Sequence, residues 1–191
     1  MIDAVQPDPH ASYDRAAAAP PADAATIAVL SAQLGRPARG RPAVVHQCGH
    51  GLPTVVRVDP RLEDGTPFPT TFWLACPLLR SDVGRMEADL EMVRLNERLA
   101  EDATLRAEYA ATAERYVAFR DALGAPEPPL DGAPTAGGMP GRVKCLHVHL
   151  GHHLATGDNP VGAFVANTLL PLACPAPCVD VTDVTAAADS A

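Results

Sequence analysis

The sequence predicts an α+β fold: a small antiparallel sheet of about three strands, packed with a helical hairpin and C-terminal helices. Three observations predict it. β-Branched runs bounded by proline and glycine crowd residues 43 to 77, apolar residues recur at three-and-four spacing after Pro77, and 47% hydrophobic content over 191 residues can build one core. One domain is expected over residues 24–173, between a disordered tail at 1–23 and a second tail at 174–191.

The elements follow from local chemistry. Residues 1–23 are rich in alanine, proline and aspartate without a period, so they bury too little surface to offset ordering entropy. "ADAATIAVLSAQLGRP" predicts a short helix over 24–34, stopped by Gly35 and Pro37. "PAVVH", "PTVVRVDPRL" and "TTFWLACP" read as three strands, with "EDGTPFP" as turn chemistry. Ser81 is the candidate N-cap of a helix striped by Val83, Met86, Leu90 and Val93. A pause at "AEDAT" precedes a second helix with Leu105, Tyr109, Tyr116 and Leu123 on one face. A proline- and glycine-rich connection of about eighteen residues leads to "RVKCLHVHLGHHLATG", a helix ended by Gly157, and "DNPVGAFVANTLLPL" predicts a last helix capped by Asp158 or Asn159.

Net charge of −8 and a pI near 5.2 argue against nucleic acid and anionic membranes as partners, because both require a basic footprint. A protein partner is compatible with that charge. The N-terminus carries acids where a secretory signal needs positive charge, and its first apolar stretch, "IAVLSAQL", is short, so a cytoplasmic location is expected. In that reducing compartment the five cysteines read as ligands, nucleophiles or buried apolar groups before disulfides.

Cysteine and histidine gather in three ordered stretches: "HQCGHG" at 46–51, "ACP" at 75–77 and the helix around Cys145. Zinc favours thiolate and imidazole in a tetrahedral shell, so Cys48, His50, Cys76 and Cys145 are the candidate ligands that would join the sheet turn to the C-terminal helix. His147 and His152 are substitutes or supporting groups. On a helix, Cys145, His149 and His152 fall within about 60° of one another, opposite the leucine stripe. Pairing Cys145 with His147 instead requires that Cys145 precede the first regular turn. The plainer reading of each cysteine is a buried apolar group, and of each histidine a surface residue. His10, Cys174 and Cys178 read as tail residues. Arg142 and Lys144, the chain's only lysine, follow Gly137 and Gly138 and could hold a phosphate or carboxylate, against a plain turn with solvated cations.

The series "LGRPARG", "HQCGHGLP", "DGTPFPTTFWLACPLL", "GRMEADLEMVRLNERLAED" and "GGMPGRVKCLHVHLGHHLA" resembles the bacterial domain-of-unknown-function family 501, common in actinobacteria, over about residues 27 to 173. The resemblance brings no activity. It implies that Cys48, Cys76, Pro77, Gly138, Met139, Pro140, Arg142, Lys144, Cys145, His147 and His152 match the family pattern. That pattern has cysteine where this chain has His50, which suits zinc better than an iron–sulfur cluster. Some members carry a septum formation initiator label and are encoded near genes of septum-formation and exopolyphosphatase-like proteins.

Three functions follow as expectations. The first is a zinc site of thiolate and imidazole ligands. The second is a thiol- or metal-dependent hydrolase of an anionic substrate, with Cys145 or Cys76 as nucleophile in the thiol version. The third is a non-enzymatic interaction module linked to cell division, with the helical hairpin as its contact surface.

Overall fold

The computed structural model describes residues 9–125, 127–130 and 136–188, with side chains in the terminal helices described between Ser12 and Val184. Its strands are β1 (Ala43–Gln47), β2 (Pro53–Arg57) and β3 (Phe72–Leu74), antiparallel in the order β1-β2-β3. Val55 lies opposite Leu74, and Val56 lies opposite both Val44 and Trp73. Period-2 alternation thus sends Val55, Phe72 and Leu74 into the main core, while Val56, Val44 and Trp73 meet Leu30 on the other face. Both faces are covered, which is why every residue of β2 is buried.

The expected α+β architecture holds. Leu30 belongs to α2 (Ala24–Leu34), where Asp23 accepts a hydrogen bond from Thr26 N at 2.8 Å and Gly35 ends the helix at φ 68°. After β3 the chain turns directly into α3 (Pro77–Ala88), so Cys76, not Ser81, is the N-cap; Pro77 is preorganised for the first helical position. Then come α4 (Glu91–Glu101) and α5 (Ala103–Leu123), the latter capped by Asp102, which accepts from Thr104 N and Leu105 N. The predicted hairpin is therefore three helices. Leu90 adopts φ 63° and breaks the first; α3 buries Leu79 and Val83 and α4 buries Leu95 and Leu99 in the same core. Leu90 and Val93, expected in the stripe, are exposed.

The remaining elements are α1 (Pro9–Ala18), α6 (Leu146–Thr156), α7 (Pro160–Leu169) and α8 (Val181–Ala188). Two of them correct the expected tails. α1 lies within the segment read as disordered: Tyr13 and Ala16 are buried, and the Tyr13 ring packs on Phe119 and His152. One buried aromatic with satisfied hydrogen bonds offsets the ordering cost that composition alone predicts. At the other end α8 packs along α2. The side chain of His10 lies outside the described residues, as do residues 126 and 131–135 of the long connection.

α6 is the central helix, in contact with the sheet, α1, α3 and α7. Two glycines permit this. A Cβ at Gly151 would come within 3.3 Å of the Phe72 carbonyl oxygen, and one at Gly162 would overlap the His149 carbonyl oxygen. None of the described helices is long and apolar enough to cross a membrane.

Candidate functional site

α6 begins at Leu146, so Cys145 is its N-cap and stands outside the regular turns, the condition under which Cys145 can meet His147. It does meet it. Glu87, Cys145 and His147 each offer a ligand atom, all within 4.8 Å of one another, and among the described residues they are the one such group of three or more histidines, cysteines or acids. Glu87, near the end of α3, reaches across to α6: its Oε1 accepts from Leu146 N at 2.6 Å and from His147 Nδ1 at 3.2 Å. His147 Nε2 donates to the Arg80 carbonyl at 3.0 Å. Carboxylate and carbonyl are acceptors here, so with no ion bound both ring nitrogens carry protons. The electrostatics agree: the hydrogen bond with Cys145 and then, against burial, Glu87 push the imidazole up to about 9.

The segment before Cys145 is pinned from two sides. Asn96 of α4 donates to the Val143 carbonyl at 3.0 Å and accepts from Val143 N at 2.8 Å, while Tyr109 donates to the Arg142 carbonyl at 3.1 Å. Arg142 and Lys144 are exposed beside this centre and make no ion pair among the described residues. The helix they were expected to open starts at Leu146. Their backbone N–H groups bond instead to the Gly138 and Gly137 carbonyls at 3.0 and 2.7 Å, so the anion role falls to the side chains alone.

His152 is not with this group. It and His149 are fully buried, because their rings face Tyr13 of α1, Phe72 of β3, Tyr109 of α5 and Asn159, whereas His147, Val148, His153, Leu154 and Ala155 of the same helix are only partly buried. Asn159 organises both. Its Oδ1 accepts from Gly162 N at 2.9 Å, which leaves the amide nitrogen to donate to His149 Nδ1 and His152 Nδ1, each at 3.1 Å. Both rings are thereby neutral with the proton on Nε2: His152 donates to Tyr13 Oη, and His149 faces Tyr109 Oη at 3.1 Å and the Gly137 carbonyl at 3.3 Å. Burial pushes His149 down to about 4 and His152 down to about 3. Tyr13 donates in turn to Asp158, which Arg115 grips with two hydrogen bonds at 2.7 and 2.8 Å. Burial alone would raise the Asp158 carboxyl, but Arg115 and Thr112 outweigh it and hold it below its ordinary value. His152 is thus a structural core residue with both nitrogens engaged.

The other predicted ligands meet elsewhere. Cys48, in the turn after β1, His50 and Cys76 line a cleft of about 710 Å³ whose far wall is Leu170, Pro171, Leu172 and Cys174. Cys145 does not line it, so the four-ligand set Cys48, His50, Cys76 and Cys145 divides between two places. Cys174, read as a tail residue, takes part because α8 returns the chain against α2 and holds the segment after α7 on the body. Nothing in the sequence marks Glu87 as a ligand; it lies in a charged helix and becomes visible only when α3 and α6 pack. Tyr13 is hidden in the sequence by its alanine-rich surroundings.

No curated protein and no solved structure matches the chain. A family model described as a protein of unknown function (DUF501) matches residues 44–167, a span that contains Cys48, His50, Cys76, Glu87, Arg142, Lys144, Cys145, His147 and His152 and stops before Cys174. That description carries no activity and nothing about cell division. With most of its length, including the sheet and the Glu87–Cys145–His147 centre, inside the match, the chain belongs to the DUF501 family.

Proposed function

We propose that the protein binds a zinc-class divalent cation at Glu87, Cys145 and His147 and presents it to an anionic ligand attracted by Arg142 and Lys144. The convergence of carboxylate, thiol and imidazole within 4.8 Å carries the reading. The surroundings fit it. A metal-ligating histidine normally gives its second N–H to a backbone carbonyl, and His147 gives Nε2–H to Arg80, which leaves Nδ1 toward Glu87 and Cys145. The proton now on Nδ1 is the one an arriving ion displaces. Three protein ligands leave a fourth tetrahedral position open, as in hydrolytic zinc sites, and a bound ion would supply Lewis acidity there. The five unpaired cysteines suit a reducing compartment such as the cytoplasm.

Elemental analysis of protein made without an affinity tag tests this. Cys145→Ser and Glu87→Gln are each expected to weaken zinc binding at this centre by at least about 100-fold. Unchanged binding in both variants would overturn the reading.

One observation favours a second use of the same residues. With no ion bound, an imidazolium at His147, oriented by Glu87, lies beside Cys145 at a helix N-terminus, a setting for a nucleophilic thiol. Rapid alkylation of Cys145 in metal-free protein, abolished in His147→Gln, would support it. Slow alkylation unaffected by that substitution would remove it.

A further inference from the structure

The cleft between the β1–β2 turn, the start of α3 and the segment after α7 is separate from the Glu87 centre, and its lining is chemically selective. Its polar side chains are the thiols of Cys48, Cys76 and Cys174, the imidazoles of His46 and His50, and Gln47 and Thr54; among the described residues no carboxylate, guanidinium or ammonium group lines it. Such a lining offers nothing to pair with a charged organic molecule. It does offer soft donors, which select thiophilic metal ions.

Backbone and ring hydrogen bonds order the donors. Cys48 closes the β1–β2 turn, its carbonyl accepting from Gly51 N at 2.9 Å and its N–H donating to the Leu52 carbonyl at 3.0 Å, and the His50 ring bonds to the Cys174 carbonyl at 3.2 Å.

We propose that this cleft is a second, sulfur-rich site for a thiophilic ion such as Zn²⁺, held by Cys48, Cys76 and Cys174 with His50 as the fourth donor. It is independent of the Glu87 centre. No three of these four donors lie within 4.8 Å of one another in this structure, so binding draws the β1–β2 turn and the segment from Leu170 to Cys174 toward Cys76 and fastens that segment to the sheet. A set of three sulfurs and one histidine is a closed tetrahedral shell, and the role is structural.

The test is a titration of the tag-free full chain with Zn²⁺ against a chromophoric chelator, repeated with Co²⁺ to read thiolate-to-metal absorption. The variants are Cys174→Ser, Cys48→Ser and Cys145→Ser. Cys174 lies in a partly exposed segment, so its replacement leaves the core intact even where a change at buried Cys76 does not. Cys174→Ser and Cys48→Ser are expected to remove the same single equivalent and most of the cobalt–thiolate absorption, and Cys145→Ser to leave that equivalent in place. Amide exchange over 170–174 should slow on adding Zn²⁺ to wild type and not to Cys174→Ser. Equal zinc uptake and equal cobalt absorption in wild type, Cys174→Ser and Cys48→Ser would overturn the proposal, whatever Cys145→Ser does.

Discussion

Replacing Gly162 by alanine should unfold the protein or lower its stability by at least about 3 kcal/mol, the largest effect expected of any single methyl group in this chain. The added Cβ would overlap the His149 carbonyl oxygen and sit 2.8 Å from its carbon and 2.5 Å from His153 Cβ. Two of these atoms are α6 backbone, so no rotamer change relieves the clash and the two helices must separate. Separation would also pull Gly162 N from Asn159 Oδ1, and with it the amide that orients His149 and His152. Gly84→Ala in α3 is the control. A Cβ there meets nothing within 4 Å, and alanine's higher helix propensity is expected to stabilise by up to about 1 kcal/mol. Urea unfolding of both variants decides the matter; a Gly162→Ala protein as stable as wild type would refute the close crossing of α6 and α7.

Acidification is the second large effect. His152 is neutral in the folded protein, burial having lowered it to about 3 from the ordinary 6.5, so between these values the unfolded chain takes up a proton that the folded chain refuses. Stability is unaffected by this group above pH 6.5 and falls as pH drops below it, by about 1.4 kcal/mol per pH unit. From pH 7 to 5 the loss is about 2 kcal/mol. His149, lowered to about 4, adds a similar amount, and His153 acts in the same direction. The other groups facing His152 do not cancel this. Tyr13 is raised far from the range, Arg115 stays charged, and Asp158, lowered from 3.8, costs stability only below that value. His147 has the opposite sign, but its contribution is complete below 6.5 and is lost as pH rises through about 9. Urea midpoints at pH 7 and 5 should therefore fall together with an NMR signature of His152 that does not titrate in the folded state. A flat or rising stability would contradict the buried neutral assignment.

What the sequence reveals here depends on the reach of the interaction. The α2 boundaries are legible because Asp23 and Gly35 act within one turn, and the strands because β-branched runs carry their own period. The break at Leu90 is not legible, since Leu90 continues the apolar stripe and neither glycine nor proline stands between Arg85 and Leu95. Only the folded chain reveals it, where Leu90 takes φ 63° and is exposed while Val83 of α3 and Leu95 of α4 are buried in one core. The Cys145–His147 pairing is legible as a condition on where α6 begins. Glu87 is not, because a carboxylate on a charged helix looks solvated until another helix packs against it. Likewise the division of Cys48 and Cys76 from Cys145 appears only in the folded chain, where Cys145 lies with Glu87 of α3 and the segment after α7 brings Cys174 to the cleft.

The central claim is that Glu87, Cys145 and His147 hold a metal ion. The most direct test is zinc X-ray absorption on tag-free Cys48→Ser/Cys174→Ser protein, in which the cleft can no longer compete. One zinc per chain, bound by a single sulfur together with nitrogen and oxygen ligands, is the predicted result; zinc-free protein, or zinc without a sulfur ligand, would contradict it.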